Sequence, residues 1–306
     1  MRLLAAVVSA LVLAPVAASS PDAPASVCSW TIHYRAHDGV LRRAFVLLPA
    51  WYGPDRDPPI PLIVSPHGRG IDALANTRIW GDLPARGGFA VVNPEGQGRR
   101  LRLFSWGDPG QIDDLGSLPA DIERSLPWLR IDRRRVYAVG GSMGGQEALL
   151  LAARRPRMLA GVAAFDAPAD LALRYRDFEG LRRGAWLRRL AREEVGGTPA
   201  SDSAAYAARS PLDHAAALAF SGVPLELWWS TRDRVVADGR AQAGALFRRI
   251  LALNPRAPVV QVVGRWGHCR ELRWNRALPT ALRLLGLLPP QPVSASSAAS
   301  TSDSDV

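Results

Sequence analysis

A Gly-Gly-Ser-Met-Gly-Gly run at residues 140–145 places Ser142 at the centre of a G-x-S-x-G motif. The motif alone is weak, because a chain with 27 glycines can match it by chance. Its context is informative, since a strand-like run, Arg135–Val139, precedes it and a helix-forming run, Gln146–Arg155, follows it. A tight strand-to-helix turn requires glycines and exposes the hydroxyl at a helix N-terminus, where the dipole stabilises negative charge. We therefore predict that Ser142 is a nucleophile.

His268 is the candidate general base for this serine. It follows the last predicted strand in the sequence Trp266-Gly267-His268, where a loop can carry the imidazole over the nucleophile. His67 lies in the loop after the third predicted strand, and we expect it to be a buried residue that orients this loop. The other histidines are predicted at the first hairpin or in the first turn of a helix: His33, His37 and His214.

The acid that orients the base is predicted to be Asp233. It comes just after the seventh predicted strand and gives the chain order serine, acid, histidine. Its carboxylate would fix the tautomer of His268 and stabilise the imidazolium. Asp166, at the end of the sixth predicted strand, is the alternative acid, but we expect it to line the substrate pocket or cap a helix. Asp238 is a third choice.

Two backbone amides are needed to stabilise the oxyanion. One is predicted to be the N–H of Met143, the residue after the nucleophile. The other is predicted in the loop Pro66-His67-Gly68-Arg69-Gly70 after the third strand, where glycines allow close approach of the backbone. The N–H of Arg69 is our choice and that of Gly70 the alternative.

The elements that must position these residues form an alternating pattern of strands and helices. Several predicted strands are continuous apolar runs, as expected when both faces of a sheet are covered. The first two flank a hairpin signal, His37-Asp38-Gly39, and the rest alternate with helices, which predicts a mostly parallel eight-stranded sheet of the α/β class. The predicted strands are Trp30–Arg35, Leu41–Leu48, Leu62–Ser65, Phe89–Asn93, Arg135–Val139, Leu159–Phe165, Leu225–Trp229 and Val259–Val263.

One connection, from Phe165 to Leu225, is too long for an ordinary crossover. Leucine, arginine and tryptophan recur at helical spacing within it, which predicts a small helical insert at about residues 167–209. We expect this insert to cover the pocket, with Trp186 contacting the acyl part of a substrate. Ser210-Pro211-Leu212-Asp213 has an N-cap serine and a proline at the first helical position, and it predicts the start of the helix before the seventh strand.

Composition excludes some classes of partner. The formal net charge is +10, and every basic residue is arginine, but the arginines are scattered along the chain. No segment concentrates them with interleaved aromatics, so we predict no nucleic-acid partner. The two cysteines and five histidines show no metal-ligand spacing, so no metal or cofactor is expected.

The two ends of the chain differ in composition from its middle. Residues 1–19 combine Arg2, an apolar run and small residues, as in a secretory signal peptide. We therefore predict a secreted, periplasmic or cell-envelope protein with no stable membrane insertion after cleavage. The hydrolase domain is predicted at 27–288. Residues 289–306 are mostly small and polar and are predicted to be a disordered tail.

Together these residues resemble the secreted polyhydroxybutyrate depolymerase and feruloyl-esterase group of α/β-hydrolases, from roughly Arg43 to Leu285. Ser210-Pro211, with Asp233 after the seventh strand, is also similar to the prolyl-oligopeptidase-type catalytic domain. Arg69 stands where many relatives have a small residue, and its side chain either binds an acidic substrate group or faces solvent. The segments that carry the resemblance are Asp113-Asp114, Ile131–Tyr137, Gly141–Gly145, His67-Gly68, Trp106-Gly107 and Trp266–His268.

The resemblance implies the α/β-hydrolase fold and a serine hydrolase with a Ser-Asp-His triad, but its motifs do not specify the substrate. Our preferred hypothesis is hydrolysis of carboxylic esters of small molecules through an acyl-enzyme. No polymer-binding domain or β-propeller is expected from this sequence. The alternatives are a serine peptidase acting on short peptides and a non-catalytic binding protein on a hydrolase scaffold.

The same resemblance implies that the first and eighth strands are opposite edges of the sheet. At about 4.8 Å per strand they lie roughly 34 Å apart, whereas a disulfide requires Cα atoms within about 7 Å. We therefore predict no bond between Cys28 and Cys269, although export would permit one.

Overall fold

The computed structural model describes residues 26–273 and 277–290. The predicted signal peptide at 1–19 lies outside the described residues, as does the predicted tail after residue 290. In the part of the chain that is described, no helix is long and apolar enough to cross a bilayer.

An eight-stranded sheet forms the centre of the protein, in the order β1-β2-β4-β3-β5-β6-β7-β8. β1 and β2 are antiparallel to their neighbours, and the strands from β3 onward run parallel. The predicted fold class is therefore confirmed, and each predicted strand is found within a few residues of its expected bounds. The strands are β1 Val27–Arg35, β2 Leu41–Pro49, β3 Ile60–Val64, β4 Ala90–Pro94, β5 Ile131–Gly141, β6 Gly161–Phe165, β7 Leu225–Ser230 and β8 Val259–Gly264.

The register of the parallel strands brings the predicted site residues to one edge of the sheet. Gly141 at the end of β5 pairs with Phe165 of β6, and Phe165 pairs with Trp228 of β7. Ser230 of β7 in turn pairs with Gly264 of β8. The loops that leave these strands start side by side, because the carboxyl ends of parallel strands share an edge.

Helices cover both faces of the sheet and this carboxyl edge. They are α1 Ala73–Thr77, α2 Leu83–Gly87, α3 Pro109–Ser125, α4 Met143–Arg154, α5 Leu171–Asp177, α6 Gly184–Val195, α7 Ser203–Ala207, α8 Ala215–Ala219, α9 Ala243–Leu253, α10 Arg270–Arg273 and α11 Leu278–Leu284.

Alternate strand residues face two different apolar layers. Ala138 of β5 belongs to an apolar cluster with residues of α3, α4, α8 and α9, whereas Val139 belongs to a second cluster with residues of α2 and α11. This two-sided burial explains why the central strands read as continuous apolar runs.

The predicted insert is present as α5, α6 and α7. A third apolar cluster joins it to the rest of the protein, and this cluster contains Met143, the residue after the candidate nucleophile. Its other buried members are Trp106, Leu171, Tyr175, Phe178, Leu187, Ala191, Val195 and Tyr206.

The carboxylate of Glu194 fixes α6 to the loop that follows β4. It is fully buried and accepts hydrogen bonds from the amides of Arg99, Arg100 and Leu101 at 2.6–2.9 Å. The guanidinium of Arg209 lies 3.4 Å away and supplies a positive charge. This carboxylate stabilises the fold through its hydrogen-bond partners. Its removal would leave those donors unpaired.

We expect Glu194→Ala to lower the free energy of unfolding by about 3 kcal/mol, because three amides and one buried guanidinium lose an acceptor. Chemical denaturation measures the change. The matched control is Glu193→Ala, which removes the exposed neighbouring acid and should change stability by less than about 0.5 kcal/mol. Equal effects of the two substitutions would contradict the assigned role of Glu194.

The structure corrects one boundary. The helix predicted to start at Ser210 begins instead at Ala215, and His214 is its N-cap residue. The hydroxyl of Ser210 accepts the amide of Leu171 and donates to the carbonyl of Tyr206, so it ties the two ends of the insert together. The prediction that Ser210 is an N-cap residue was wrong because its hydroxyl makes these contacts with the insert.

The two cysteines lie far apart in the sheet order. Cys28 is exposed on β1, and Cys269 is buried in the loop after β8. Both thiols are free in the structure.

Candidate active site

Ser142 occupies a strained turn between β5 and α4. Its backbone has φ 57° and ψ −125°, a conformation that costs free energy for a residue with a Cβ. Its N–H donates to the carbonyl of Phe165 at 2.8 Å, which fixes the turn against β6. The glycines allow this geometry, since a Cβ on Gly140 would lie 2.5 Å from the backbone of Gly144. The side chain of Ser142 is half-buried at the carboxyl edge of the sheet.

His268 and Asp233 form a hydrogen-bonded pair. Nδ1 of His268 lies 2.6 Å from Oδ2 of Asp233, and the Asp233 side chain is only 2% exposed. The other carboxylate oxygen accepts the amides of Val235 and Val236 at 2.7 and 3.0 Å. Both oxygens are thus engaged, which keeps the carboxylate in one orientation. This contact leaves Nε2 as the imidazole nitrogen available to another group.

The pKa of His268 responds to opposing effects. Burial acts to lower it, but the neighbouring Cys269 and Asp233 side chains outweigh burial and raise the pKa of His268 above its usual range. An acidic partner that stabilises an imidazolium has the same effect in Ser-His-Asp systems.

The loop that carries His268 packs directly on the turn that carries Ser142. A Cβ built on Gly141 would lie 3.0 Å from Sγ of Cys269, the residue after His268. Ser230 also holds this loop, because its hydroxyl donates to the carbonyl of Trp266 and accepts the Trp266 amide. The loop that carries His268 is therefore packed closely against the turn that carries Ser142.

Asp166 is buried behind this loop. Its carboxylate accepts the amide of Cys269 at 2.7 Å and the indole N–H of Trp266 at 3.0 Å. Burial raises the pKa of Asp166 to about 6, although these donors favour the charged form. Asp166 itself has φ 46° and Cys269 has φ 52°, so both turns are strained where they meet. Asp166 thus fixes the position of the loop that carries His268, and its carboxylate is occupied by hydrogen bonds within the protein.

The loop after β3 lies against the N-terminus of α4. A Cβ on Gly144 would come within 2.1 Å of the Pro66 carbonyl, so glycine is required for this approach. The N–H of Met143 is the first in the helix and has no intrahelical acceptor. The N–H of Gly70 donates to the Leu103 carbonyl at 2.9 Å, whereas the N–H of Arg69 has no acceptor among the described residues. This difference favours Arg69 over Gly70 as the second donor.

His67 stabilises the same loop from inside. It is 2% exposed, its Nδ1 lies 2.9 Å from the Gly68 carbonyl, and its Nε2 accepts the Gly96 amide at 3.0 Å. These partners define a neutral imidazole with the proton on Nδ1. Burial lowers the pKa of His67, in agreement with the neutral form.

Aromatic side chains form the wall between the insert and the nucleophile. Trp186 of α6 is 40% exposed and makes an edge-to-face contact with Phe104, with 5.9 Å between ring centroids. Phe104 contacts Trp106 at 5.7 Å, and the amide of Trp106 lies 3.3 Å from Sδ of Met143. A chain of apolar contacts therefore runs from the half-exposed Trp186 to the buried residue beside the nucleophile.

One residue near the site was missed by the sequence analysis. Arg174 of α5 is only 3% exposed, and burial together with the positive charge of Arg69 lowers its pKa to about 10. The only signal in the sequence is its spacing, because Arg174 falls on the same helical face as Leu171, Tyr175 and Phe178. Because the chain has 38 basic residues, the arginine at position 174 is not by itself a sign of a functional site.

Asp166, His268 and Cys269 also form a cluster with the donor atoms of a metal site. One ligand atom from each lies within 4.8 Å of the others. The carboxylate of Asp166 and Nδ1 of His268 are already engaged in hydrogen bonds, however, so the geometry of the cluster is accounted for by the packing of the histidine loop.

The protein matches no family model and no curated protein. Its structure is similar to Porphyromonas gingivalis dipeptidyl peptidase 4, with a TM-score of 0.63 and 18% identity, covering 84% of this chain and 35% of that one. It is also similar to the Pyrococcus furiosus esterase Pf2001, with a TM-score of 0.59 and 16% identity, covering 86% of this chain and 92% of the esterase. A ferulic acid esterase matches with a TM-score of 0.58 and 19% identity, over 85% of this chain and 97% of that one.

The chain thus spans about a third of the peptidase and nearly all of each esterase. At 16–19% identity these likenesses establish the architecture. The eight-stranded sheet with its covering helices is the α/β-hydrolase fold.

Proposed function

We propose that the protein is a serine hydrolase that cleaves carboxylic esters of small molecules through an acyl-enzyme and acts outside the cytoplasm. Ser142 Oγ attacks the ester carbonyl carbon while Nε2 of His268 accepts its proton. The oxyanion that forms is stabilised by the amides of Met143 and Arg69. The intermediate then expels the alcohol, which takes the proton from His268. Water repeats the sequence on the acyl-enzyme and releases the acid.

The observation that carries this proposal is the 2.6 Å contact between His268 and Asp233, on a loop packed against the strained turn of Ser142. A positive φ at a serine costs free energy and persists where the surrounding structure requires it. The likeness to esterases over nearly their full length supports an ester as the substrate. Asp166 is proposed as a positioning residue, since both its donors belong to the histidine loop.

A series of p-nitrophenyl esters of increasing acyl length, measured beside aminoacyl-p-nitroanilides, tests the reaction. We expect ester kcat/KM to exceed anilide kcat/KM by a large factor. Clear anilide turnover with negligible ester turnover would instead identify a peptidase on short peptides, the activity that the likeness to dipeptidyl peptidase 4 supports. Neither turnover, in a folded protein, would favour a binding protein on a hydrolase scaffold.

Trp186→Ala should change the acyl-length profile more than it changes stability. Trp186 contributes an exposed indole edge to the aromatic wall, so its loss widens the space for the acyl chain. We expect the preferred chain length to increase and kcat/KM for short chains to fall by about 3- to 10-fold, because one apolar contact is worth about 1 kcal/mol.

The matched control is Trp51→Ala. Trp51 has the same 40% exposure but follows β2, at the opposite edge of the sheet. This variant should keep the wild-type profile. An unchanged profile in Trp186→Ala would remove the insert from the substrate site.

A further inference from the structure

Two arginine side chains approach the candidate site from different elements. Arg69 lies on the loop after β3, beside the amide proposed to bind the oxyanion, and Arg174 lies on α5 in the insert. Both elements reach the same aromatic cluster beside Met143. A Cβ on Gly70, the residue after Arg69, would lie 3.8 Å from the Phe104 ring, and the Arg174 guanidinium stacks on Phe178. The Trp106 ring contacts both Phe104 and Phe178, with 5.7 and 6.1 Å between ring centroids, and the charge of Arg69 acts on Arg174.

The Arg174 guanidinium is buried without an ion pair among the described residues that would balance its charge. Its residue is 3% exposed, and its Nη1 has no hydrogen-bond partner among the described residues. Its guanidinium stacks on the ring of Phe178, 4.6 Å from the centroid, which orients the planar group but accepts no N–H bond. A buried ion costs several kcal/mol unless it is paired, so an unpaired arginine in a fold requires a reason.

Nearby acids do not supply that partner. Asp177 is one turn further along α5 and raises the pKa of Arg174, yet no oxygen of Asp177 lies within 4.0 Å of the guanidinium. Asp233 also raises this pKa, but both its oxygens are already bonded. Arg69 adds a second positive charge, and burial alone lowers its pKa. Arg69 likewise has no hydrogen bond or ion pair to the part of the chain that the structure describes.

We propose that Arg69 and Arg174 form an anion subsite for a carboxylate carried by the ester substrate, on its acyl or its alcohol side. This proposal rests on the proposed esterase function and names its substrate class. Arg174 is buried and Arg69 is half-buried, and neither guanidinium has a hydrogen-bond acceptor among the described residues. A guanidinium presents a fork of N–H donors that matches a carboxylate. An anion beside these side chains would offset the repulsion between the two positive charges.

Two pairs of probe esters test the proposal. On the acyl side, p-nitrophenyl hemisuccinate is compared with p-nitrophenyl butyrate. On the alcohol side, the butyrate ester of 4-hydroxybenzoate is compared with that of 4-hydroxybenzamide. In at least one pair we expect the anionic ester to have the higher kcat/KM, by about 10- to 100-fold, the range of a charge-assisted hydrogen bond. The pair that shows the preference identifies which side of the substrate carries the carboxylate.

Arg174→Met should abolish this preference and leave turnover of the neutral esters within about threefold, because methionine keeps the apolar contact with Phe178 and removes the charge. Arg176→Met, on the exposed side of the same helix, is the matched control and should retain the preference. Asp177→Asn tests whether Arg174 serves only to balance the charge of Asp177. If Arg174 binds substrate, this variant should retain or increase the preference for the anionic ester. If the ratio of kcat/KM for the anionic ester to kcat/KM for the neutral ester is near one in the wild-type protein for both pairs, the subsite proposal is overturned while the esterase function stands.

Calorimetric titration of the Ser142→Ala protein with monomethyl succinate and with 4-hydroxybenzoate keeps the test independent of turnover. If none of the esters is hydrolysed, the proposed function fails, and this titration decides the subsite. Binding that is lost in the Ser142→Ala, Arg174→Met double variant would uphold the subsite. Binding of neither anion by the Ser142→Ala protein, or binding that persists unchanged in the double variant, would overturn it.

Discussion

Ser142→Ala should lower ester kcat/KM by about 10⁴- to 10⁶-fold, because removing a member of a catalytic triad abolishes the acyl-enzyme route. What remains is the small acceleration that oxyanion donors and substrate binding provide without a nucleophile. Steady-state kinetics on a p-nitrophenyl ester measures the loss. His268→Ala should cause a loss of similar size, since a serine without its base is a weak nucleophile. The double variant should be no worse than either single variant, because the two residues act as one unit.

Matched substitutions separate catalysis from folding. Ser117→Ala changes an exposed serine on α3, and His33→Ala changes an exposed histidine on β1. Both should keep wild-type kcat/KM. Thermal melting should show all four single variants folded. Full activity in a folded Ser142→Ala protein would exclude Ser142 as the nucleophile.

The sheet could be predicted from the sequence because its strands are short apolar runs covered on both faces. Residues 161–165 and 225–230 illustrate this, since every side chain in both strands is buried. The loops at their carboxyl ends then follow from parallel pairing, which places the residues after β5, β7 and β8 together. Ser142, Asp233 and His268 could therefore be assigned to one edge of the sheet from the sequence.

The choice between Asp233 and Asp166 could not be derived from spacing alone. Both residues follow a strand that ends at the same edge, so their positions in the chain are equivalent. What distinguishes them is the direction of each turn, and that depends on backbone conformation, such as the φ of 46° at Asp166. Asp233 is the acid predicted from the sequence, and the structure places it against Nδ1 of His268.

Long-range polar contacts also could not be predicted from the sequence. The carboxylate of Glu194 binds amides more than ninety residues away, and Ser210 binds an amide 39 residues away. Arg174 is in the same class, because an arginine on an apolar helical face is recognised as unusual only when its surroundings are known. Such contacts have no local pattern, since each partner is an ordinary residue in its own segment.

Asp233→Asn should lower kcat/KM by about 10⁴-fold while the protein stays folded. An asparagine amide group donates to Nδ1 where the carboxylate accepted from it, so the imidazole adopts the wrong tautomer, with its proton on the nitrogen that faces the serine. The pKa of His268 should fall at the same time, because the Asp233 charge that raises it is lost. A pH–rate profile would show this as a shift of the acid limb to lower pH.

Asp166→Asn should cost far less, about 10- to 100-fold, because Asp166 contacts the histidine loop and not the imidazole. The amide of Cys269 and the indole of Trp266 both donate to the same carboxylate oxygen, and a neutral asparagine oxygen at that position accepts them more weakly than a charged one. The loop should loosen, and kcat should fall more than KM rises. The acid limb should also move only slightly, since Asp233 still faces His268.

The comparison of these two variants decides the acid. Both changes keep the shape of the side chain and remove one charge at the end of a strand, so any general effect of lost charge is common to them. A large loss with a shifted acid limb in Asp233→Asn, beside a small loss with an unshifted limb in Asp166→Asn, is expected only if Asp233 orients the base. The reverse pattern would transfer that role to Asp166 and leave the α/β-hydrolase fold unaffected, because the sheet order does not depend on either carboxylate.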